Sequence, residues 1–172
     1  KPAGIIPAAV VVLGLAGMVL AGPVVVTRRI EKRVPLAGYS RAAVIHRYGA
    51  VTVIGTDDAH ALVDALVRVT ARDRRLAEDF AEKVDIQATG QGDSFVIATL
   101  YPAKIPVDPQ FGYEVELSIR IPQATEASVR NSFGDVRIAG MDGACRVVNR
   151  YGDVELDRCG RWRRRRRGSG SR

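Results

Sequence analysis

Two aspartates in this 172-residue chain have the spacing of a repeated site. Asp135 and Asp153 lie eighteen residues apart, and each one directly follows a glycine. Two carboxylates held close together can bind calcium, or can act as the general acid and the general base of a hydrolysis. The alternative is structural, because an aspartate at a turn accepts hydrogen bonds from backbone N–H groups. The sequence favours the structural role.

Both aspartates belong to a phrase that occurs twice and has a looser third copy. The copies span Val44–Val53, Val129–Ile138 and Val147–Leu156, and they share the pattern V-x-[NH]-x-[FY]-G-x-V-x-[VIL]. Apolar residues alternate on both sides of the glycine, which is the period of a β-strand. Since glycine turns without steric cost, each copy is predicted to form a strand, a corner and a second strand.

Two arrangements of these units are open. Pairing within each copy gives a sandwich of hairpins, whereas pairing each copy with the next gives a coil of stacked rungs. Similar residues recur at equivalent positions, and stacking like on like favours the coil. The predicted fold is mainly β, a β-solenoid or roll of short stacked strands with one short helix, preceded by an N-terminal transmembrane or signal helix. The structural repeat positions are Asn131, Phe133, Gly134, Asp135, Asn149, Tyr151, Gly152 and Asp153.

The polar and aromatic repeat positions are expected to be structural as well. Asn131 and Asn149 should face inward and form an amide ladder, with His46 as their substitute in the first copy. The aromatic residues share the parity of the core valines and are predicted to be buried, although exposed rings could stack against a sugar; they are Tyr48, Phe133 and Tyr151. The sequence contains no nucleophile elbow, phosphate loop or metal-ligand cluster. No catalytic residue, cofactor site or metal site is therefore predicted.

The order of segments resembles a bacterial "putative adhesin" family whose head domain is a β-solenoid. The stretches that carry the resemblance are Arg47–Asp57, Val84–Gln87, Phe95–Pro102 and Tyr113–Pro122, followed by the Gly-Asp-Val repeats. It covers about residues 31–160, and its specificity lies in the order of the pieces. The resemblance implies an extracytoplasmic, non-catalytic head. Family members commonly carry further repeats, so a truncated C-terminal end is expected.

Four segments are predicted along the chain. Residues 1–26 form a hydrophobic membrane anchor or signal segment, 27–40 a basic stalk, 41–160 the β domain and 161–172 a disordered tail. Residues 5–26 carry no charge, and a helix of that length is about 33 Å long, enough to cross a bilayer core. A secretory signal peptide cleaved after Ala21 is the alternative.

The net charge of +7 does not describe the folded part of the chain. Residues 161–172 hold seven arginines, whereas residues 34–160 hold fourteen basic and eighteen acidic side chains. The predicted partners are the membrane through residues 5–26 and an unidentified envelope or surface ligand, with no nucleic acid on the folded domain. The arginine tail is expected to have no selected function, although it could bind anionic lipid or nucleic acid.

Cys145 and Cys159 are fourteen residues apart and so are not equivalent in an eighteen-residue repeat. Nothing in this spacing brings them within bridging distance, so free thiols are expected and a disulfide is the alternative. A zinc site is not expected, because the chain has two widely separated histidines and no CxxC pair.

Outside the repeats, strands are predicted at about 62–71 and 113–121, and a hairpin from residues 84–89 and 94–100. A helix capped by Asp73 is predicted to run to Lys83 and to lie against the strands. These elements have no catalytic pattern of their own. The predicted function is a membrane-anchored, non-catalytic cell-envelope or surface module, and the alternative is a carbohydrate-active β-solenoid enzyme that uses Asp135 and Asp153.

Overall fold

Buried and exposed residues alternate along most of the chain, and this alternation gives a mainly β structure. A computed structural model describes residues 22–162, with side chains through residue 160. In chain order the elements are β1 (Val24–Pro35), β2 (Arg41–Ile45), β3 (Val51–Thr56), β4 (His60–Ala71), α1 (Arg74–Lys83), β5 (Asp85–Gln91), β6 (Ser94–Leu100), β7 (Gly112–Pro122), β8 (Glu126–Phe133), β9 (Val136–Tyr151) and β10 (Val154–Trp162).

The ten strands form one nearly closed sheet around a core of valine, isoleucine and alanine side chains. The order is β1-β4-β7-β3-β9-β8-β2-β6-β5, and β10 pairs with β9. The two ends of this order approach each other, since the Lys32 ammonium of β1 lies 3.0 Å from the Asp85 carboxylate of β5. Arg28 of β1 also donates hydrogen bonds to carbonyl groups where α1 ends, at Ala81 (2.7 Å) and Val84 (2.8 Å). A cation at this position complements the partial negative charge of a helix C-terminus.

The repeat copies pair with one another in parallel, as the stacked-rung prediction requires. Val44 of the first copy pairs with Val129 of the second, which pairs with Val147 of the third. After the corner the register continues from Val51 to Val136 to Val154. Asn131 lies opposite Asn149, and Phe133 lies opposite Tyr151. Pairing between copies is therefore confirmed, and each strand–corner–strand copy is one rung.

The sheet is not a uniform coil of short strands, because part of it is antiparallel and built from long strands. β4 runs antiparallel to both β1 and β7 and has twelve residues. β9 has sixteen residues and turns a corner: residues 136–139 pair with β3, residues 145–151 pair with β8, and β10 follows β9 through both parts with a register shift after Met141. Gly140, with a φ of 69°, lies where the pairing with β3 ends.

Residues 24–35 form β1 and not the basic stalk that the sequence predicted for 27–40. Every residue of β1 pairs with β4. The alternation was obscured because two inward positions of β1 are the cations Arg28 and Lys32, whose charged ends reach α1 and β5. Val24–Val26, the end of the predicted anchor, lie in the same strand, and the rest of that segment lies outside the described residues. Within residues 22–162 no helix is long and apolar enough to cross a membrane.

The cysteines form a disulfide, so the expectation of free thiols was wrong. Cys159 pairs in register with Met141, which lies eighteen residues earlier in the rung below. Met141 and Cys145 are both buried and are separated by the bend in β9. Cys145 lies four residues after Met141, so the spacing to Cys159 is the eighteen-residue rung less this four-residue step, which is fourteen, and the two Cα atoms lie 6.0 Å apart.

The corners of the three rungs use a column of glycines, Gly49, Gly134 and Gly152, with φ angles of 124°, 116° and 117°. Side chains disfavour this region of backbone space. There is also no room for one, because a Cβ on Gly134 would overlap the carbonyl of Gly49, and a Cβ on Gly152 would overlap the carbonyl of Gly134. The rungs can stack at this distance because the corner residue has no side chain.

The predicted helix and hairpin are confirmed. The Asp73 side chain accepts a hydrogen bond of 2.7 Å from the Arg75 N–H and caps α1. Phe80 anchors the helix, with its ring 4.9 Å from that of Phe111 and 4.8 Å from that of Tyr113. β5 and β6 form the antiparallel hairpin, which turns at Gly92.

Replacing Gly134 by valine should lower the free energy of unfolding by more than about 2 kcal/mol, because strain at positive φ adds to the overlap with the next rung. Gly112→Val is the matched control, since a Cβ there meets no atom within 4 Å. Urea unfolding of both variants measures the difference. Equal midpoints for the two variants would show that the corner does not require glycine.

Removing the disulfide in a Cys145→Ala/Cys159→Ala variant should cost about 3 kcal/mol, because the bridge closes a loop with a sequence separation of 14. The urea midpoint should fall, and a reducing agent should lower the midpoint of the native chain but not that of the variant. If the reducing agent leaves the urea midpoint of the native chain unchanged, the Cys145–Cys159 disulfide is contradicted.

Candidate functional site

The repeat asparagines hold the corners together. The Asn131 amide nitrogen donates to the carbonyls of Gly49 and Gly134, both at 3.2 Å. Asn149 repeats this one rung later, with Gly134 at 2.9 Å and Gly152 at 3.2 Å. The side chains face inward as predicted, but they bind corner carbonyls and do not form an amide-to-amide ladder. Their role in the structure is to fix the register of successive rungs.

The aspartates after the corner glycines are exposed, and one of them supports the backbone. A carboxylate oxygen of Asp135 accepts a hydrogen bond of 2.9 Å from the backbone N–H of Asp153 in the next rung. This is the structural role that the sequence favoured. Among the described residues, no group of three or more histidine, cysteine, aspartate or glutamate side chains could hold a metal ion.

His46 replaces the repeat asparagine in the first rung and is buried, with 4% of its surface exposed. Its Nδ1 lies 2.9 Å from the hydroxyl of Thr99 in β6. Burial lowers the pKa of His46 to about 4, because the charged imidazolium would lose its hydration. His46 is therefore neutral at pH 7.

The repeat aromatic residues form a stacked column at the surface of the molecule. Their predicted burial was wrong for Phe133 and Tyr151, which are exposed, whereas Tyr48 is half-buried. The ring of Phe133 stacks on Tyr48 at 5.4 Å and on Tyr151 at 5.0 Å, with interplanar angles of 5° and 11°. Phe133 is 41% exposed and Tyr151 is 58% exposed. Each ring directly precedes a corner glycine, and the turn carries it outward although its parity matches that of the core valines. We call these three rings the aromatic column.

Beside this column, three strands present a basic surface. Because β2, β8 and residues 145–151 of β9 are in register, every second side chain along them points outward and aligns between rungs. Four outward arginines are exposed, and no described carboxylate lies within ion-pair distance of them: Arg47, Arg130, Arg146 and Arg150. We call this surface the arginine face. The Arg47 guanidinium carbon also lies 5.6 Å from the centre of the Tyr48 ring.

The arginine face also carries apolar and small side chains between its charges. Exposed Ile45 and Val148 flank Arg130 on the neighbouring rungs. Further along the strands lies a depression of about 520 Å³, where Arg41 and Arg146 flank small side chains such as Ala43 and Ser128. Arg41 differs from the other arginines because it pairs with Glu126 at 3.2 Å.

On the outward side of β1, β4, β7, β10 and residues 136–139 of β9, charges are mostly paired. Examples are Arg29 with Asp64, Arg68 with Glu114 and Glu116, and Arg137 with Glu155. Hydrogen bonding to Arg29 lowers the pKa of Asp64. The chain therefore separates a charge-balanced side from a basic side. Sequence reasoning missed the basic side because it summed charge over the whole domain, but arginines at the same parity of the second and third copies could have signalled it.

No protein-family model matches the sequence, and no curated protein matches it. Solved structures do resemble it. A "putative cell adhesion protein" from Clostridium sporogenes aligns with a TM-score of 0.52 and 14% identity, covering 76% of this chain and 60% of its own. A "putative adhesin" from Bacteroides fragilis aligns with a TM-score of 0.40 and 11% identity, covering 75% of this chain and 53% of its own.

The first of these comparisons establishes a shared fold. At 14% identity it carries no information on the ligand, and the second has too low a TM-score to add an argument. This chain spans about 60% of the length of the Clostridium protein, so it corresponds to part of that molecule.

The buried histidine generates a pH prediction. The folded-state pKa of about 4 lies below the value of about 6.5 for an unfolded chain. As the pH falls from 6.5 to 4, the unfolded state therefore takes up a proton that the folded state does not, and stability decreases. His46→Asn installs the residue of the other two rungs and removes this proton uptake. Between pH 7 and pH 4.5 the native chain should lose about 2 kcal/mol more than the variant in urea unfolding. Parallel losses in the two proteins would contradict a neutral, buried His46.

Proposed function

We propose that this chain is a non-catalytic module of the bacterial cell envelope or surface that works by contact. The observation that carries the proposal is the open arginine face beside the aromatic column, which offers a broad surface and no enclosed reaction site. The shared fold with a protein described as a putative cell adhesion protein supports the same assignment. The alternative, a carbohydrate-active enzyme, requires Asp135 for catalysis, but this side chain already bonds the Asp153 backbone.

Membrane attachment belongs to the same proposal. Val24–Val26 lie in β1, so the proposed anchor or signal segment ends before this strand begins. Val24 pairs with Ala71, and the neighbouring Thr70 pairs with Gly112, so these residues share one end of the sheet. An anchored head would turn that end toward the bilayer and leave its sides accessible. The Cys145–Cys159 disulfide supports an extracytoplasmic head, because such bonds persist in oxidising compartments.

Location is tested by protease treatment of intact cells that produce the full chain. We expect the protease to degrade the head on intact cells, while a cytoplasmic marker protein stays whole. Protection of the head until the cells are lysed would contradict the proposal.

Catalysis is tested with the double variant Asp135→Asn/Asp153→Asn. Asparagine keeps a side-chain oxygen that can accept the Asp153 N–H, so folding should be little changed, within about 1 kcal/mol. We expect adhesion of cells that display the variant to match that of cells with the native chain. Hydrolysis of an envelope polysaccharide by the native chain, lost in the double variant, would make the enzyme assignment correct.

A further inference from the structure

We infer that the arginine face binds an extended acidic polysaccharide. This inference deepens the proposed contact function and rests on it, by naming the surface and the chemistry of the ligand. The guanidinium groups would bind carboxylate or sulfate groups of the glycan, and apolar side chains on the face would contact the sugar rings.

The charges on the face are available to a ligand. Arg47, Arg130, Arg146 and Arg150 are exposed, and the carboxylates of the described residues leave all four without an ion pair. A guanidinium presents a planar fork of donors that matches a carboxylate or a sulfate in two parallel hydrogen bonds. On the opposite side of the molecule most arginines already hold such partners.

The spacing of the charges fits a chain with repeated anionic groups. Adjacent rungs are about 4.8 Å apart, and Arg146 and Arg150, four residues apart on one strand, are separated by about 13 Å. Arg130 lies on the neighbouring rung between their levels, since it aligns with Val148. A compact anion could contact one of these arginines, whereas an extended polyanion can contact several together.

The apolar contacts of the face favour sugar rings over nucleobases. Sugar rings have apolar C–H faces, and Ile45 and Val148 are exposed beside Arg130. Nucleobases are held by stacking on free aromatic faces. Here Phe133 is covered on both faces by Tyr48 and Tyr151, so Tyr151 at the end of the column is the stacked ring with a face that no described ring covers, and one free face does not hold a run of successive bases. The disulfide in the rung that carries Arg146 and Arg150 also supports an oxidising, extracytoplasmic setting for the ligand.

The test compares two double variants of the full chain that remove equal charge. Arg130→Gln/Arg146→Gln alters the arginine face. Arg75→Gln/Arg120→Gln alters exposed positions on α1 and on the outward side of β7. The probe is polygalacturonate, with neutral dextran and single-stranded DNA as comparisons. The face variant should bind polygalacturonate at least about tenfold more weakly than the native chain does. The affinity of the control variant should lie within about twofold of the native value. Dextran should not bind to any of the three proteins.

The seven arginines between residues 161 and 172 also attract polyanions, so affinity is combined with mapping. Phenylglyoxal modification followed by mass spectrometry reports each arginine separately. Polygalacturonate should protect Arg130 and Arg146 while Arg75 and Arg120 stay reactive. Three results would each overturn the inference. They are protection confined to the arginine tail, equally weakened binding in both double variants, and protection of Arg130 by DNA to the same degree as by polygalacturonate.

Failure of this inference and failure of the proposed function are distinguishable. If polygalacturonate binding does not depend on Arg130 and Arg146, but the head is degraded by protease on intact cells, this inference is wrong and the envelope module remains. If the head is protected on intact cells, the proposed function is wrong whatever the polyanion binding shows.

Discussion

The corner glycines set the geometry on which the other features of the repeats depend. At Gly134 the backbone has a φ of 116° and lies against the carbonyl of Gly49, so the rungs approach closely only where no Cβ is present. Asn131 and Asn149 then bind the carbonyls of two successive corners, which prevents a shift of one rung relative to the next. A shift by one residue would exchange the inward and outward faces of every strand.

A fixed register also determines the surface. With Val129 opposite Val147 inside, Arg130 and Val148 must lie side by side outside, and the rings before the corner glycines must stack. Exposed ion pairs add little to the free energy of unfolding. The main effect of the paired charges on the opposite side is therefore to weaken the attraction of that side for charged ligands. Unpaired arginines repel one another and contribute nothing to the core. Their concentration on one side is the observation from which we infer an acidic ligand.

The sequence predicts this fold where one physical rule dominates a segment. Alternation located β4 and β7, the Asp73 cap located α1, and recurrence of Asn-x-[FY]-Gly predicted the pairing of Asn131 with Asn149. Prediction from the sequence failed where tertiary contacts override the local pattern. β1 resembled a stalk because its inward cations bond α1 and β5, and the cysteine spacing made sense only with a bend between Met141 and Cys145. Predicting the arginine face and the aromatic column required the register between rungs and the outward turn at each corner. Neither can be read from composition.

The central claim is that the repeat copies pair with one another as stacked rungs, and that the second copy pairs with the third, eighteen residues later. Through-hydrogen-bond scalar couplings measured by NMR test it directly, because they identify the acceptor carbonyl of each backbone N–H. Stacked rungs predict couplings from the Gly134 N–H to the Tyr151 carbonyl and from the Val136 N–H to the Asp153 carbonyl, which are hydrogen bonds of 3.0 Å and 2.9 Å in the structure. Couplings that join Val129–Phe133 to Val136–Ile138 within one copy would show a hairpin and contradict the account.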